Sequence, residues 1–135
     1  AQSLRPRFAR NLPPAFGWLA KRKIPHDITD AWIGPGLADR RIRRDVSTIL
    51  RGISKRYTQE AAARFGEVEL PVLLAWASED KVFPFEHAER LGRAFPDARV
   101  ERIEDSYTYV SLDQPGRTAQ LIAEFARAPA ATPAA

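Results

Sequence analysis

The residues able to do acid–base or nucleophilic chemistry in this 135-residue chain are few. Asp80 follows the apolar run Pro71-Val72-Leu73-Leu74-Ala75-Trp76 by four residues and precedes Pro84 by four. A carboxylate there can orient an imidazole and stabilise its cation, as the acid of a nucleophile–histidine–acid triad does. It can equally cap the backbone of a turn or a helix start, the commoner use of such an aspartate. The local residues leave both readings open. The two histidines, His26 and His87, stand alone, with no sequence-local cluster around either. Ser3, Ser47, Ser54, Ser78, Ser106 and Ser111 all lack the Gly-x-Ser-x-Gly setting of a nucleophile elbow. The absence of cysteine excludes disulfides, thiolate catalysis and cysteine-ligated metal. With two separated histidines, no metal site and no cofactor are expected.

The elements that must position Asp80 fall into two regions. Residues 1–66 read as short helices broken by proline. Pro13 and Pro14 suit the first turn of a helix reaching Lys21. Asp27 is placed to cap a second helix carrying Ile28, Ala31 and Trp32, ended by Gly34-Pro35-Gly36. Asp39 is placed to cap a longer one through Gly52, with Ile42, Val46, Ile49 and Ile53 near helical period. Thr58 to Phe65 gives one more. The run around Val72–Trp76 reads as a strand buried on both faces. Pro84–Phe95 reads as a helix, Ala98–Ile103 as a strand and Asp113–Ala126 as a final helix. The Ala/Pro-rich tail from 127 to 135 is expected to be disordered. Strand–helix–strand over about 30 residues is the span of a parallel βαβ unit. A parallel pair needs neighbours and helical cover, which this chain does not supply. It therefore reads as the C-terminal half of something larger.

Charge is uneven. Residues 1–65 hold 14 Lys+Arg against 5 Asp+Glu, whereas residues 66–135 hold 7 against 12. The densest basic run, Arg40-Arg41-Ile42-Arg43-Arg44, is interleaved with apolar residues at helical spacing and reads as a solvated helix face. No zinc-finger, phosphate-loop or aromatic RNA-binding pattern accompanies it, and nucleic acid is not an expected partner. The amphipathic, basic helical region over residues 1–66, with Phe8, Phe16, Trp18 and Trp32, has the character to touch anionic membranes. No run of 18 apolar residues exists, so no membrane span is expected, and the chain is read as cytoplasmic.

The text from Leu70 through Pro84, then Glu86–Leu91 and Phe95–Arg99, and finally Ile103-Glu104-Asp105-Ser106-Tyr107-Thr108-Tyr109-Val110-Ser111-Leu112-Asp113-Gln114-Pro115, resembles the α/β-hydrolase superfamily. The resemblance covers residues 69–126. It implies an α/β fold: a helical lid over residues 1–66, then the C-terminal strand–helix–strand–helix of the core over 67–126. The Pro35…Arg43-Arg44-Asp45 region is similar to lids of a haloalkane-dehalogenase-like or epoxide-hydrolase-like branch. By the same resemblance Asp80 occupies the triad-acid position, with Ala77 in place of the usual glycine of Gly-x-x-Asp. Counting back from Asp113-Gln114-Pro115, the position of the family histidine is held by Thr108, which cannot serve as a general base near neutral pH. The elbow and oxyanion-hole strands would lie upstream, in a missing N-terminal half. The resemblance implies a parent hydrolysing a small apolar ester, epoxide or halide under a lid carrying Trp18 and Trp32. This chain by itself is expected to be catalytically silent. The alternative is a non-catalytic pseudo-hydrolase holding an apolar ligand or a protein partner under the same lid; a substitute base would separate the two, and His26 is the one lid histidine available for it.

Overall fold

The computed structural model describes residues 5–127, so the expected tail lies, but for Arg127, outside the described residues. The described residues open with a short helix α1 (Arg7–Arg10) and a kinked turn over Pro13–Gly17. Three helices follow: α2 (His26–Ala38), α3 (Arg40–Gly52) and α4 (Lys55–Ala62). The second region is β1 (Val72–Ala77), α5 (Glu86–Gly92), β2 (Ala98–Ile103), α6 (Val110–Asp113) and α7 (Pro115–Arg127). The class is α/β. β1 and β2 pair in parallel from Val72 opposite Ala98 to Ala77 opposite Ile103, with α5 and α7 packed on the strands.

Several helix boundaries differ from the sequence pattern, each for a local reason. No helix runs from Pro13 to Lys21. Ala15 has non-helical torsions, φ −111° and ψ −112°, and the amides of Ala15 and Gly17 share the Leu12 carbonyl at 2.9 and 3.1 Å. The turn closes so tightly that a Cβ on Gly17 would lie 2.5 Å from the Asn11 carbonyl oxygen. Pro25, not Asp27, precedes α2, and Asp27 sits in its first turn, where a carboxylate favours the helix dipole. α2 continues through Gly34-Pro35-Gly36 to Ala38. Pro35 removes one amide donor, but packing against α3 holds the segment helical. Asp39 does cap α3, its Oδ1 accepting from the Arg41 amide at 2.7 Å. α4 starts three residues before the pattern suggests, because the Ser54 hydroxyl accepts from the Arg56 amide. α5 is shorter than Pro84–Phe95, since residues 84–85 form the turn that enters it. The final helix α7 starts at Pro115 rather than Asp113, and a separate short helix, α6, precedes it, with Gln114 (φ −134°, ψ 61°) between them.

The core is small. Among the described residues Ala20, Ile24, Ala77, Ala88, Ile103 and Leu121 are the buried apolar side chains. β1 is less enclosed than its apolar run suggests: Val72–Trp76 are half-buried and only Ala77 is buried. Its one partner strand among the described residues is β2, which leaves its other edge unpaired there. The helical segment is joined to this core by a buried carboxylate. Asp113, at the end of α6, accepts from the amides of Lys21 (2.8 Å), Arg22 (2.9 Å) and Tyr107 (2.9 Å). The Arg22 guanidinium donates to the Asp113 carbonyl at 2.7 Å, and the Tyr109 amide donates to the Leu19 carbonyl at 2.6 Å.

Hydrogen bonds to a buried charged acceptor are each worth about 1.5–3 kcal/mol, and losing the acceptor strands its donors. Asp113→Asn is therefore expected to cost roughly 2 kcal/mol or more, read as a lowered midpoint in urea denaturation. A shift below about 0.5 kcal/mol would show that this carboxylate does not join the two regions.

Candidate active site

Asp80 sits in the turn that leaves β1. Its Oδ1 accepts from the amides of Val82 and Phe83, both at 2.8 Å. This is the turn-capping role that the local sequence left open. The turn is further closed by Trp76, whose Nε1 donates to the Phe83 carbonyl at 2.8 Å.

The loop after β2 is fixed against the same turn. The Ser78 amide donates to the Ile103 carbonyl at 2.9 Å, and the Glu79 amide to the Ser106 carbonyl at 3.3 Å. Ser106 is fully buried and its hydroxyl donates back to the Ile103 carbonyl at 2.7 Å. Asp105 takes the left-handed backbone region, φ 54°, which aspartate tolerates better than most residues. This geometry carries Thr108 to Asp80: its hydroxyl donates to Oδ1 at 2.8 Å. The two positions that the hydrolase resemblance singled out, 28 residues apart, are thus in direct contact. They line a cavity of about 210 Å³ with Ala75, Trp76, Ala77, Phe83 and Val110.

Chemically, the arrangement is a carboxylate oxygen holding three donors. Thr108 does not act as a base there: its proton is committed to Asp80, and a threonine hydroxyl does not take up a proton near neutral pH. Neither histidine lines this cavity. His87 Nδ1 lies 3.1 Å from the Arg90 guanidinium on α5. His26 opens α2, with its Nδ1 buried and without a hydrogen-bond partner.

The two tryptophans separate. Trp32 stands edge-on to Phe16 (5.5 Å between centroids) and to Tyr109 (5.9 Å). With Tyr109, Ser111 and Leu112 it lines a cavity of about 320 Å³ next to the Thr108 loop. Trp18 is 51% exposed and lines neither cavity.

A charged cluster missed by sequence reasoning frames the loop. Lys21 Nζ reaches Glu79 at 2.6 Å and Asp105 at 2.8 Å, and Arg22 reaches Asp105 at 2.5 Å. Asp105 is held below the usual carboxylate range, first by its hydrogen bond from Lys21 and then by Arg22. Lys21 is raised above the ordinary lysine value by Asp105 and Glu79. No local pattern could have found these pairs, which join residues 58 to 84 positions apart. Among the described residues no group of three or more His, Cys, Asp or Glu side chains is placed to hold a metal. No helix there is long and apolar enough to cross a membrane.

No family model matches the chain. It is similar to the monoacylglycerol lipase ABHD6 of Bos taurus, 24% identical over 106 residues. That stretch is 76% of this chain and 30% of the lipase, so the chain spans less than a third of that relative's length. Among solved structures it is similar to a CIB-like hydrolase of Thermoplasma acidophilum (23% identical, TM-score 0.47, 49% of this chain and 32% of that one). It is also similar to MGS-MChE2, an α/β-hydrolase enzyme from a lagoon-sediment metagenome of Mar Chica, Morocco (28% identical, TM-score 0.45, 47% and 29% covered). Both of these solved structures are described as hydrolases, and each matches less than half of this chain.

Two outcomes test the site. Thr108→Val removes one of three donors to Asp80 and is expected to cost about 1 kcal/mol in chemical denaturation. The second concerns pH. A carboxylate whose folded value is lowered stabilises the fold above its unfolded value and loses that contribution as pH falls through the folded one. The Asp105 contribution is therefore present above about pH 4 and lost below it. Asp105→Asn is expected to flatten the fall in melting temperature on acidification, and the effect shrinks at high salt.

Proposed function

We propose that residues 5–127 form the lid and the acid-bearing end of an α/β-hydrolase-type protein. The remaining strands, with a nucleophile elbow, are supplied by sequence upstream of Ala1. Residues 1–66 act as the lid and residues 67–126 as the end of the core. A small apolar molecule is held beneath the lid, near Trp32 and the Thr108 loop. Trp18, half exposed, serves the lid surface.

The observation that carries the functional reading is the hydrogen bond from Thr108 to Asp80. In a working triad the acid's partner is an imidazole that accepts a proton from the nucleophile. Here the partner is a hydroxyl that cannot, so the geometry supports ligand binding without turnover at this position. The second reading keeps hydrolysis of a small apolar ester, epoxide or halide, in a dehalogenase- or epoxide-hydrolase-like branch. Among these bonds, the similarity to a monoacylglycerol lipase favours the ester alone. It needs a base from elsewhere, and His26, with a buried Nδ1 lacking a partner, is the candidate on the helical segment.

The test uses this chain joined to its upstream sequence and a chromogenic short-chain ester. The binding reading expects no turnover by the natural chain and measurable turnover by Thr108→His, whose imidazole can meet Asp80. General-base catalysis contributes about 10²–10⁴-fold, so the gain should be large. Turnover by the natural chain that is abolished by His26→Ala would establish the hydrolytic reading instead.

A further inference from the structure

α3 presents an unusual surface. It packs mainly against α2, and none of its residues is buried. Ile42, Val46, Ile49 and Leu50 share one face with Ile53 just beyond, and all five are exposed: Ile49 by 67%, Leu50 by 61% and Ile53 by 70%. At 1.5 Å per residue this stripe runs for about 16 Å. It borders an apolar cleft of about 650 Å³ between α2 and α3, lined by Trp32, Ile33, Leu37, Val46 and Leu50. Residues 40–56 carry seven basic side chains and one acidic one, Asp45. Arg41 is paired with Asp39, and Arg43 donates to the Gly36 and Leu37 carbonyls. Arg40, Arg51 and Lys55 have no ion pair among the described residues.

We propose that the α3–α4 face docks on an anionic lipid surface, with the Ile42–Ile53 stripe in the headgroup–acyl boundary and the unpaired cations against lipid charge. The observations select this occupant. A helix with a segregated apolar stripe and a cationic remainder binds in the interface plane, through buried apolar area plus attraction to anionic lipid. Self-pairing of two such stripes would cover the isoleucines and leave Arg40, Arg51 and Lys55 without a counter-charge. A nucleic acid would satisfy the arginines and leave the isoleucines in water. A single small apolar ligand would fill the cleft and leave Ile49 and Ile53 uncovered.

The experiment is co-sedimentation of the full chain with vesicles of phosphatidylcholine alone, or containing about 30% phosphatidylglycerol. Binding to the anionic vesicles is expected, falling about tenfold or more when salt rises from about 50 to about 500 mM. The paired substitution Ile49→Asp and Ile53→Asp is expected to weaken binding by about tenfold or more with helicity unchanged by circular dichroism, since both sites are exposed. Arg40→Gln with Arg51→Gln should weaken it on anionic vesicles only. Equal binding to both vesicle types, or none by the folded chain, would overturn the proposal. So would binding that survives the isoleucine substitutions and is displaced by poly-glutamate, which would make the face a polyanion site. A concentration-dependent dimer without vesicle binding would assign the stripe to a second copy. Loss of vesicle binding when the upstream core is joined would assign it to that core.

Discussion

The carboxylate of Asp113 is where the two regions of this molecule meet. Its side chain is withdrawn from solvent, and a buried charge is tolerated only where hydrogen bonds replace its water. Three backbone amides do so: two from the strap at Lys21 and Arg22 and one from Tyr107. Each of these contacts fixes something else. The strap bends at Lys21 and Arg22, outside any helix, because the shared Leu12 carbonyl and the Ala15 torsions stop helix growth before it. Tyr107 precedes Thr108, so anchoring its amide helps to set where the Thr108 hydroxyl falls. The contact with Asp80 therefore depends on a residue that touches neither partner.

Electrostatics reinforces the same joint. The basic first half meets the acidic second half through Lys21 and Arg22 on Glu79 and Asp105. These pairs are partly exposed and individually weak, but they converge on one loop, whose Asp105 holds a left-handed backbone conformation. Arg10 and Arg7 are similarly engaged with Asp30, which they hold below the usual carboxylate range. Much of the positive charge left over lies on α3 and α4. The asymmetry between the halves thus divides into a part used to join them and a part left facing outward beside an apolar stripe.

At the site, the two readings of Asp80 prove to be one geometry. The same oxygen caps the Val82–Phe83 turn and accepts from Thr108. A carboxylate that builds its own turn is rigidly aimed, which a triad acid requires, and it is equally at home where no triad operates. The side chain at position 108 is a threonine, and its hydroxyl ties the loop after β2 to that turn.

The sequence by itself determined the elements governed by backbone period and local capping. The parallel pair Val72–Ala77 and Ala98–Ile103, the Asp39 cap and the amphipathic run of α3 are all legible in it, because strand and helix repeats impose their spacing within a few residues. The resemblance singled out Asp80 and Thr108, which the structure brings into contact. Tertiary structure decided the rest. It carried α2 through Gly34-Pro35-Gly36, set a short helix before the last one, sent Trp32 to the Thr108 loop while leaving Trp18 outside, and made Asp113 a joint rather than a helix start. Those outcomes rest on contacts such as Lys21 with Asp113, 92 residues apart. Their energy depends on three-dimensional approach and desolvation, for which a linear pattern carries no period.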